Sequence, residues 1–392
     1  MNILITGAGM RNKGAQSLTF AVTGELKQRY PNDNIILLVP DEDREIDYSN
    51  YRFAPFVCRI KSMFYLVGGI KKMMALLKRP DYKDVAQLQA VFEDARLLID
   101  ISGYALSSVW GAYVTRFYLT AIECAHKFDV PVYLMPQSFG PFDYTFPQSI
   151  WMNYQIKKIM KYPKIVYARE REGLAALDRY KLKNVKLSQD LVLLTKEVSA
   201  ERFFIQQPQL IVPTVANDSV AVLSNIRLLQ KCDKKTLLSK YRLVIGELLA
   251  LGKNVYLMYH SAEDKEWTDE IAGLFLNFPA VKVIEQELSC LEYESTVRQF
   301  DFIVASRYHS IVHAVKQGVP AIAIGWAAKY QELLSQLDQG EYVLDARNGL
   351  QDDTLLDLVR KMAHNFVEES EKIKAKVSIL QQNNILDCLD GE

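Results

Sequence analysis

Short runs of apolar residues alternate with longer stretches of helical periodicity along most of the chain. In the first half, the apolar runs predict strands at Asn2–Thr6, Ile35–Val39, Arg96–Ile101, Val130–Met135, Ile165–Ala168 and Val185–Leu187. The clearest helices between them are Ala15–Arg29, Ser108–His126 and Arg171–Tyr180. The alternation lapses over Lys196–Asp218, which holds Gln206-Gln207-Pro208-Gln209 and Pro213, and then restarts. The second half predicts strands at Ser219–Ser224, Asn254–Tyr259, Val281–Ile284, Phe302–Ala305 and Ala321–Ile324. Its helices fall at Lys235–Leu251, Asp264–Phe275, Ile311–Gln317 and Lys329–Leu337, with a further helical stretch from Asp352 to about Gln381.

Continuous apolar strands separated by helices indicate parallel sheets covered on both faces, the α/β class. Two such halves suggest two Rossmann-like, doubly wound lobes facing a cleft. The expected division is residues 1–195 for an N-terminal lobe and 196–218 for a linker. Residues 219–345 then form a C-terminal lobe, and 346–392 a helical extension. One large sheet would satisfy the same periodicity; two lobes are the expectation.

Composition narrows the class. The chain has 392 residues, with 47 Lys+Arg against 47 Asp+Glu and 49% hydrophobic residues, ordinary for a globular protein. Zero net charge argues against a nucleic-acid partner, which would ordinarily call for a basic excess. Cys58, Cys124, Cys232, Cys290 and Cys388 are scattered, without the spacing of a zinc site or a disulfide framework. No apolar run reaches the roughly 18–20 residues of a membrane span, and the N-terminus lacks the pattern of a signal peptide. The expected location is cytoplasmic. One segment departs from the alternation: Met63–Arg79, apolar and basic, with Lys61, Lys71, Lys72, Lys78 and Arg79. It reads as an interfacial helix meeting anionic lipid at the inner face of a membrane, or as a lobe helix with a solvated basic face.

In open parallel sheets, ligands bind at the carboxyl ends of the strands. The turn after the first strand, Gly7-Ala8-Gly9-Met10-Arg11-Asn12-Lys13-Gly14, precedes a helix and can present backbone N–H groups to an anion. It matches neither G-x-G-x-x-G nor a P-loop. Gln137, in Pro136-Gln137-Ser138-Phe139-Gly140-Pro141, reads as a preset amide at the cleft or as part of a structural turn. Arg169 ends a strand, and its planar fork suits phosphate or carboxylate; the plain alternative is an ion pair with Glu170 or Glu172. Ser306-Arg307-Tyr308-His309-Ser310 is the most informative stretch, a buried strand running into a helix N-terminus. Arg307 offers a permanent charge, and His309 a proton that moves near neutral pH. His313 follows four residues later, but no third ligand accompanies the pair, so metal binding is not expected. Ser224, Asn225 and Arg227 follow Ser219–Leu223, His260 and Asp264 follow Asn254–Tyr259, and Lys329 follows Ala321–Ile324.

These residues resemble the polysaccharide pyruvyl transferase family. The strongest match is Ser306-Arg307-Tyr308-His309-Ser310, Ala314, Gly318-Val319-Pro320, Ile324 and Lys329. Further matches are Pro136-Gln137-Ser138-x-Gly140-Pro141, Arg169-Glu170, Asp190, and Gly7-x-Gly9 with Asn12-x-Gly14. Two positions depart from the family pattern: Ala15-Gln16 replace an acidic pair, and Asp100-Ile101-Ser102-Gly103-Tyr104 replaces a Gly-Gly step.

The resemblance implies a GT-B-like fold and transfer of a pyruvyl group from phosphoenolpyruvate to sugar hydroxyls as a ketal. It needs no cofactor besides that donor. On this reading Arg169 and Arg307 bind the donor with Lys329, and His309 is the general acid/base. Asp100 or Asp190 orients the acceptor or a catalytic partner. The acceptor would be a saccharide, free or lipid-linked. A GT-B glycosyltransferase or sugar-nucleotide epimerase is the alternative, and a two-lobed sugar-binding protein a third class. No residue pattern specifies an oligomer.

Overall fold

The computed structural model describes residues 1–77 and 80–390 and contains two parallel sheets. The first is built from β1 (Asn2–Thr6), β2 (Asn34–Val39), β3 (Ala54–Val57), β4 (Ala95–Asp100), β5 (Val132–Gln137), β6 (Ile165–Ala168) and β7 (Val185–Leu187). Their order is β3-β2-β1-β4-β5-β6-β7. The second is built from β8 (Ser219–Leu223), β9 (Asn254–Met258), β10 (Val281–Val283), β11 (Phe302–Ala305), β12 (Ala321–Gly325) and β13 (Val343–Asp345). Their order is β10-β9-β8-β11-β12-β13. Every pairing is parallel. β1, β8, β11 and β12 are buried along their whole length, as a sheet covered on both faces requires. Each sheet is doubly wound, with strand order reversing between β1 and β4 and between β8 and β11. Ligand crevices of such sheets open at those points.

Two edge strands fall outside the expected set. β3 contains Pro55, tolerated because an edge strand has one unpaired side. β13 spans only Val343–Asp345, too short to register as a period. Helices also form at Tyr82–Glu93, Gln148–Ile159 and Cys290–Val297. The last is opened by a capping box in which Ser289 and Glu292 satisfy each other's backbone N–H groups.

The chain between the sheets is anchored at both ends. Phe203 stacks on Phe20 with centroids 4.4 Å apart, and Tyr51 bridges Phe204. Further on, the Ile211 N–H donates to Glu292, and the Gln299 amide donates to the Pro213 carbonyl. The C-terminal helix Asp352–Leu380 packs on helix Lys234–Ala250 and on the short helix Leu191–Leu194. The chain then returns to the first lobe, where Arg29 pairs with Asp387 and Asp390 and Asn384 donates to Glu25.

The basic segment folds as two short helices, Ile60–Val67 and Gly69–Leu77, parted by Gly68 and Gly69 at positive φ. Lys71 pairs with Glu123, and Lys72 Nζ lies 4.6 Å from the Tyr65 ring centroid. Lys78 and Arg79 lie outside the described residues. Among the described residues, no helix is long and apolar enough to cross a membrane.

Candidate active site

The helix after β11 begins at Tyr308, three residues earlier than its periodicity suggests. Arg307 is its N-cap residue and His309 stands in its first turn. His313, one turn on, is thereby driven into the core, where its Nδ1 lies 2.6 Å from Glu294 Oε1.

His309 sits at the seam between the lobes, with about a quarter (24%) of its side chain exposed. Its ring faces Gly14 of the helix Lys13–Arg29. A Cβ at Gly14 would stand 2.7 Å from His309 Cγ and Nδ1, so only glycine leaves the ring its place. His309 Nε2 lies 4.0 Å from Asp190 Oδ2 and has no hydrogen-bond partner. Burial pushes the His309 imidazole well below its ordinary value; Asp190 opposes the shift, and Arg169, His313 and Lys329 add to it. The ring is neutral at pH 7, with a lone pair available.

Behind it lies a buried ion-pair cluster. Arg169, 4% exposed, donates from Nη1 to Asp190 Oδ2 at 2.9 Å and from Nη2 to Ser138 Oγ at 2.7 Å. Ser138 donates in turn to Glu170. Arg169 Nε has no hydrogen-bond partner. Burial opposes ionisation of Asp190, but Arg169, His309 and the Val192 N–H together outweigh it and hold the carboxyl below the usual range. Asp190 also caps the helix Leu191–Leu194 through the Val192 N–H. The ring of buried Tyr308 carries two cations, Arg169 Cζ at 4.5 Å and Lys329 Nζ at 5.0 Å. Burial pushes Lys329 down to about 8; Arg169 adds to the shift, while Glu170 and Asp190 oppose it.

Arg307 is held on the second lobe by Asp264 and Glu263, at 2.6–2.7 Å. Glu263 also holds Arg227, whose guanidinium lies 5.9 Å from the ring of Trp110 in the first lobe. A cleft of about 350 Å³ runs between these groups. The charged side chains lining it are Arg169, Arg227, Arg307 and Lys329, with Glu263 as the one carboxylate among the described residues. Asp190, Asp264 and Glu263 orient the three guanidinium groups, and the forks they hold, with Lys329, give the cleft donors suited to an anion.

The other candidates divide. Asn12 and His260 line the cleft, though Asn12 Oδ1 is already used to cap its helix. Asn225 lines it too, while its amide holds the Ser306 carbonyl and the Arg227 N–H. Burial holds His260 neutral beside His313 and Lys13, and its carbonyl accepts from Lys13 Nζ across the lobes. Gly9, Gln137, Ser306 and Ser310 lie behind the cleft wall. Gly9 N–H donates to Thr19, and Ser310 Oγ to the Arg307 carbonyl. Gln137 is fully buried, and its amide donates to Asp100 at 3.0 Å.

Asp100 faces a separate first-lobe cavity of about 850 Å³, which meets the cleft at Gly7 and Ser102. It accepts from Thr6, from both the N–H and Oγ of Ser102, and from Gln137. Burial nevertheless holds its carboxyl above the usual range. Among the described residues no cluster of three metal-ligating side chains occurs.

Arg227, expected at a strand end, and Tyr308, inside the Arg-x-His run, line the cleft; Trp110 and Tyr330 complete its wall without a signal in the sequence. Arg227 stands two residues after Asn225 at a strand end, a signal of the same kind that marked Arg169. Trp110 sits in a loop of the other lobe and gave none.

Several solved structures share this two-lobed architecture. The Anabaena HepE protein, in complex with UDP and glucose, is 11% identical, with a TM-score of 0.54 over 97% of this chain and 95% of that one. The UDP-GlcNAc 2-epimerase of Methanocaldococcus jannaschii is 12% identical, with a TM-score of 0.57 over 98% and 100%. That of Neisseria meningitidis, bound to UDP-GlcNAc, is 12% identical, with a TM-score of 0.54 over 98% and 100%. At such identities the likeness establishes the GT-B-type fold alone. A search of the curated proteins returns no match. The sequence profile of the polysaccharide pyruvyl transferases matches residues 12–327. The match begins at Asn12 in the glycine-rich turn and takes in Arg169, Asp190, Arg227, Arg307 and His309; Lys329 lies two residues beyond its end. On that match, covering most of its length, the chain belongs to the polysaccharide pyruvyl transferase family.

Proposed function

We propose that the chain transfers a pyruvyl group from phosphoenolpyruvate to two hydroxyls of a saccharide, forming a pyruvate ketal and releasing phosphate. One observation carries the reading: a cleft lined by three oriented guanidinium groups and Lys329, with a neutral imidazole at its seam, in a member of this family. Phosphoenolpyruvate brings a phosphate and a carboxylate close together. Arg227, Arg307 and Lys329 from the second lobe and Arg169 from the first offer each a cation.

The chemistry divides between two groups. Neutral His309 accepts the proton of the first attacking hydroxyl as its oxygen bonds to the carbon bearing phosphate. Lys329, softened towards neutrality, supplies a proton to the methylene carbon, which becomes the methyl group. The carbon–oxygen bond to phosphate then breaks. The second hydroxyl closes the ketal, and its proton leaves with phosphate. We assign the acceptor to the first-lobe cavity at Asp100, which opens to the cleft at Gly7 and Ser102.

Thermal unfolding in the presence of phosphoenolpyruvate tests the donor. A ligand that binds only the folded state adds about 2.7 kcal/mol of stability at 100 times its Kd. The melting temperature should rise with phosphoenolpyruvate and not with inorganic phosphate or UDP-sugars at equal concentration, and Arg307→Ala should abolish the rise. A rise with UDP-sugars alone would replace this reading with a nucleotide-sugar enzyme.

Lys329 gives a pH signature. As the proton donor it must be protonated, so kcat should fall about tenfold per pH unit above a value near 8. Lys329→Arg, which stays protonated, should be slow at all pH and lack that limb. An unchanged alkaline limb in Lys329→Arg would remove Lys329 from the role.

A further inference from the structure

The helix Gln148–Ile159 carries large apolar groups on two faces. Met152, Ile156 and Ile159 pack in the first-lobe core. On the other side Ile150 is 66% exposed, Tyr154 61% and Trp151 41%; Phe146, just before the helix, is 81% exposed. Ile150 and Tyr154 stand one turn apart on the same helical face, and Phe146 is exposed just ahead of the helix. A surface helix needs one apolar face to fold; none of the described residues covers the second.

This face has neighbours. Val109, Trp110 and Tyr113 are also exposed, at the start of the adjacent helix Gly111–Lys127. The two segments are tied by Ser108, which donates to the Pro141 carbonyl, and by a 2.8 Å hydrogen bond between Thr115 and Tyr144. A contiguous exposed apolar surface of this kind marks an interaction site.

Charge selects the occupant. From Tyr144 to Lys164 the sequence contains Lys157, Lys158, Lys161 and Lys164 and no Asp or Glu. In a chain of zero net charge, that is a local basic excess directly after exposed aromatic side chains. Trp and Tyr suit the level of lipid headgroups, and lysines suit anionic ones. The basic segment at Lys61–Lys72 is a poorer candidate, because Lys71 is taken by Glu123.

We propose that the face formed by Phe146, Ile150, Trp151 and Tyr154, with Lys157, Lys158 and Lys161, docks on an anionic membrane surface. The neighbouring Trp110 lines the interlobe cleft and Tyr113 the first-lobe cavity, so docking brings the mouth of the site to the lipid surface. Docking itself does not depend on the donor; its use, access to a lipid-linked saccharide acceptor, rests on the pyruvyl-transfer reading.

Co-sedimentation of the full chain with vesicles tests it. The wild type should pellet with phosphatidylcholine vesicles containing phosphatidylglycerol and stay in solution with phosphatidylcholine alone. Phe146→Ser/Ile150→Ser/Trp151→Ser/Tyr154→Ser and Lys157→Glu/Lys158→Glu/Lys161→Glu should each lower the pelleted fraction about tenfold or more. All seven positions are off the candidate site, so turnover of a water-soluble acceptor should be unchanged in both variants. That readout separates failure of docking from failure of the pyruvyl-transfer reading. Should a variant lose its native circular dichroism, quenching of wild-type tryptophan emission by brominated lipid in the anionic vesicles decides in its place; no quenching overturns the proposal. Equal pelleting of wild type and variants also overturns it. So does a wild-type dimer in light scattering that the serine variant dissociates, since a second copy would then cover the face.

Discussion

His309→Asn is expected to lower kcat by about 100- to 10,000-fold, the range spanned by a positioned acid or base, while phosphoenolpyruvate still raises the melting temperature. Asparagine keeps a polar group of similar reach but cannot accept the proton of an attacking hydroxyl. The surroundings hold the imidazole neutral, because burial and the cations Arg169 and Lys329 outweigh the single carboxylate of Asp190; its lone pair is available, though as a weaker base than a free imidazole. Its buried Nε2 has no hydrogen-bond partner and lies 4.0 Å from Asp190 Oδ2. A second substitution reaches the same ring from the opposite lobe. In Gly14→Ala the new Cβ meets His309 at 2.7 Å, so the ring must move. A displacement on the order of 1 Å costs about a hundredfold in rate when geometry is limiting. Gly14→Ala should therefore retain donor binding and lose turnover, though it removes no titrating group and adds none. Steady-state rates with a defined acceptor, read beside thermal shifts, check both. Full activity in His309→Asn would exclude His309 as the base.

Arg169→Met is expected to destabilise the fold by about 3–5 kcal/mol at pH 7, because it leaves Asp190 buried without its counter-charge. Asp190 is fully enclosed, and its carboxyl is held low chiefly by Arg169. A carboxyl whose pKa is lower in the folded state contributes stability above its unfolded value. That contribution is lost as pH falls through the folded value. The penalty of Arg169→Met should accordingly shrink in acid, where Asp190 takes up a proton instead. Urea unfolding at pH 7 and in the acid range measures this. Arg169→Met/Asp190→Leu should recover much of the stability and none of the activity, since the pair is replaced by apolar bulk while a cation of the cleft is gone. A loss under about 1 kcal/mol in the single variant would show the pair to be solvated, as exposed pairs are.

The buried pair also explains why a strand-end arginine is hard to read from sequence. Arg169 was open to two interpretations, anion ligand or ion pair with a neighbouring glutamate. In the structure its strongest partner is Asp190, 21 residues away, with Glu170 more distant at 3.6 Å. It still lines the cleft, with an Nε that has no hydrogen-bond partner. Both descriptions hold at once, because a guanidinium has several donors in a fixed fork and can be oriented by one carboxylate while facing a ligand. Arg307 is arranged in the same way by Asp264.

What the sequence by itself determined was the class of fold and the local chemistry at strand ends. Continuous apolar strands such as Phe302–Ala305 and Ala321–Gly325 are visible because a parallel sheet buries both faces. The Arg-x-His run is visible because strand, loop and helix N-terminus follow one another directly in sequence. Short edge strands such as Ala54–Val57 escaped, having one open side and too few residues to show a period. Only the tertiary structure decided which strand-end groups meet. Gly14 and His309 touch, as do Asp190 and Arg169, and Trp110 faces Arg227, through contacts between segments far apart in sequence. It also decided that Gln137 belongs to the buried network under Asp100, and that His309 is neutral. Both follow from burial and from the charges that surround a group in space, quantities that no local pattern of residues contains.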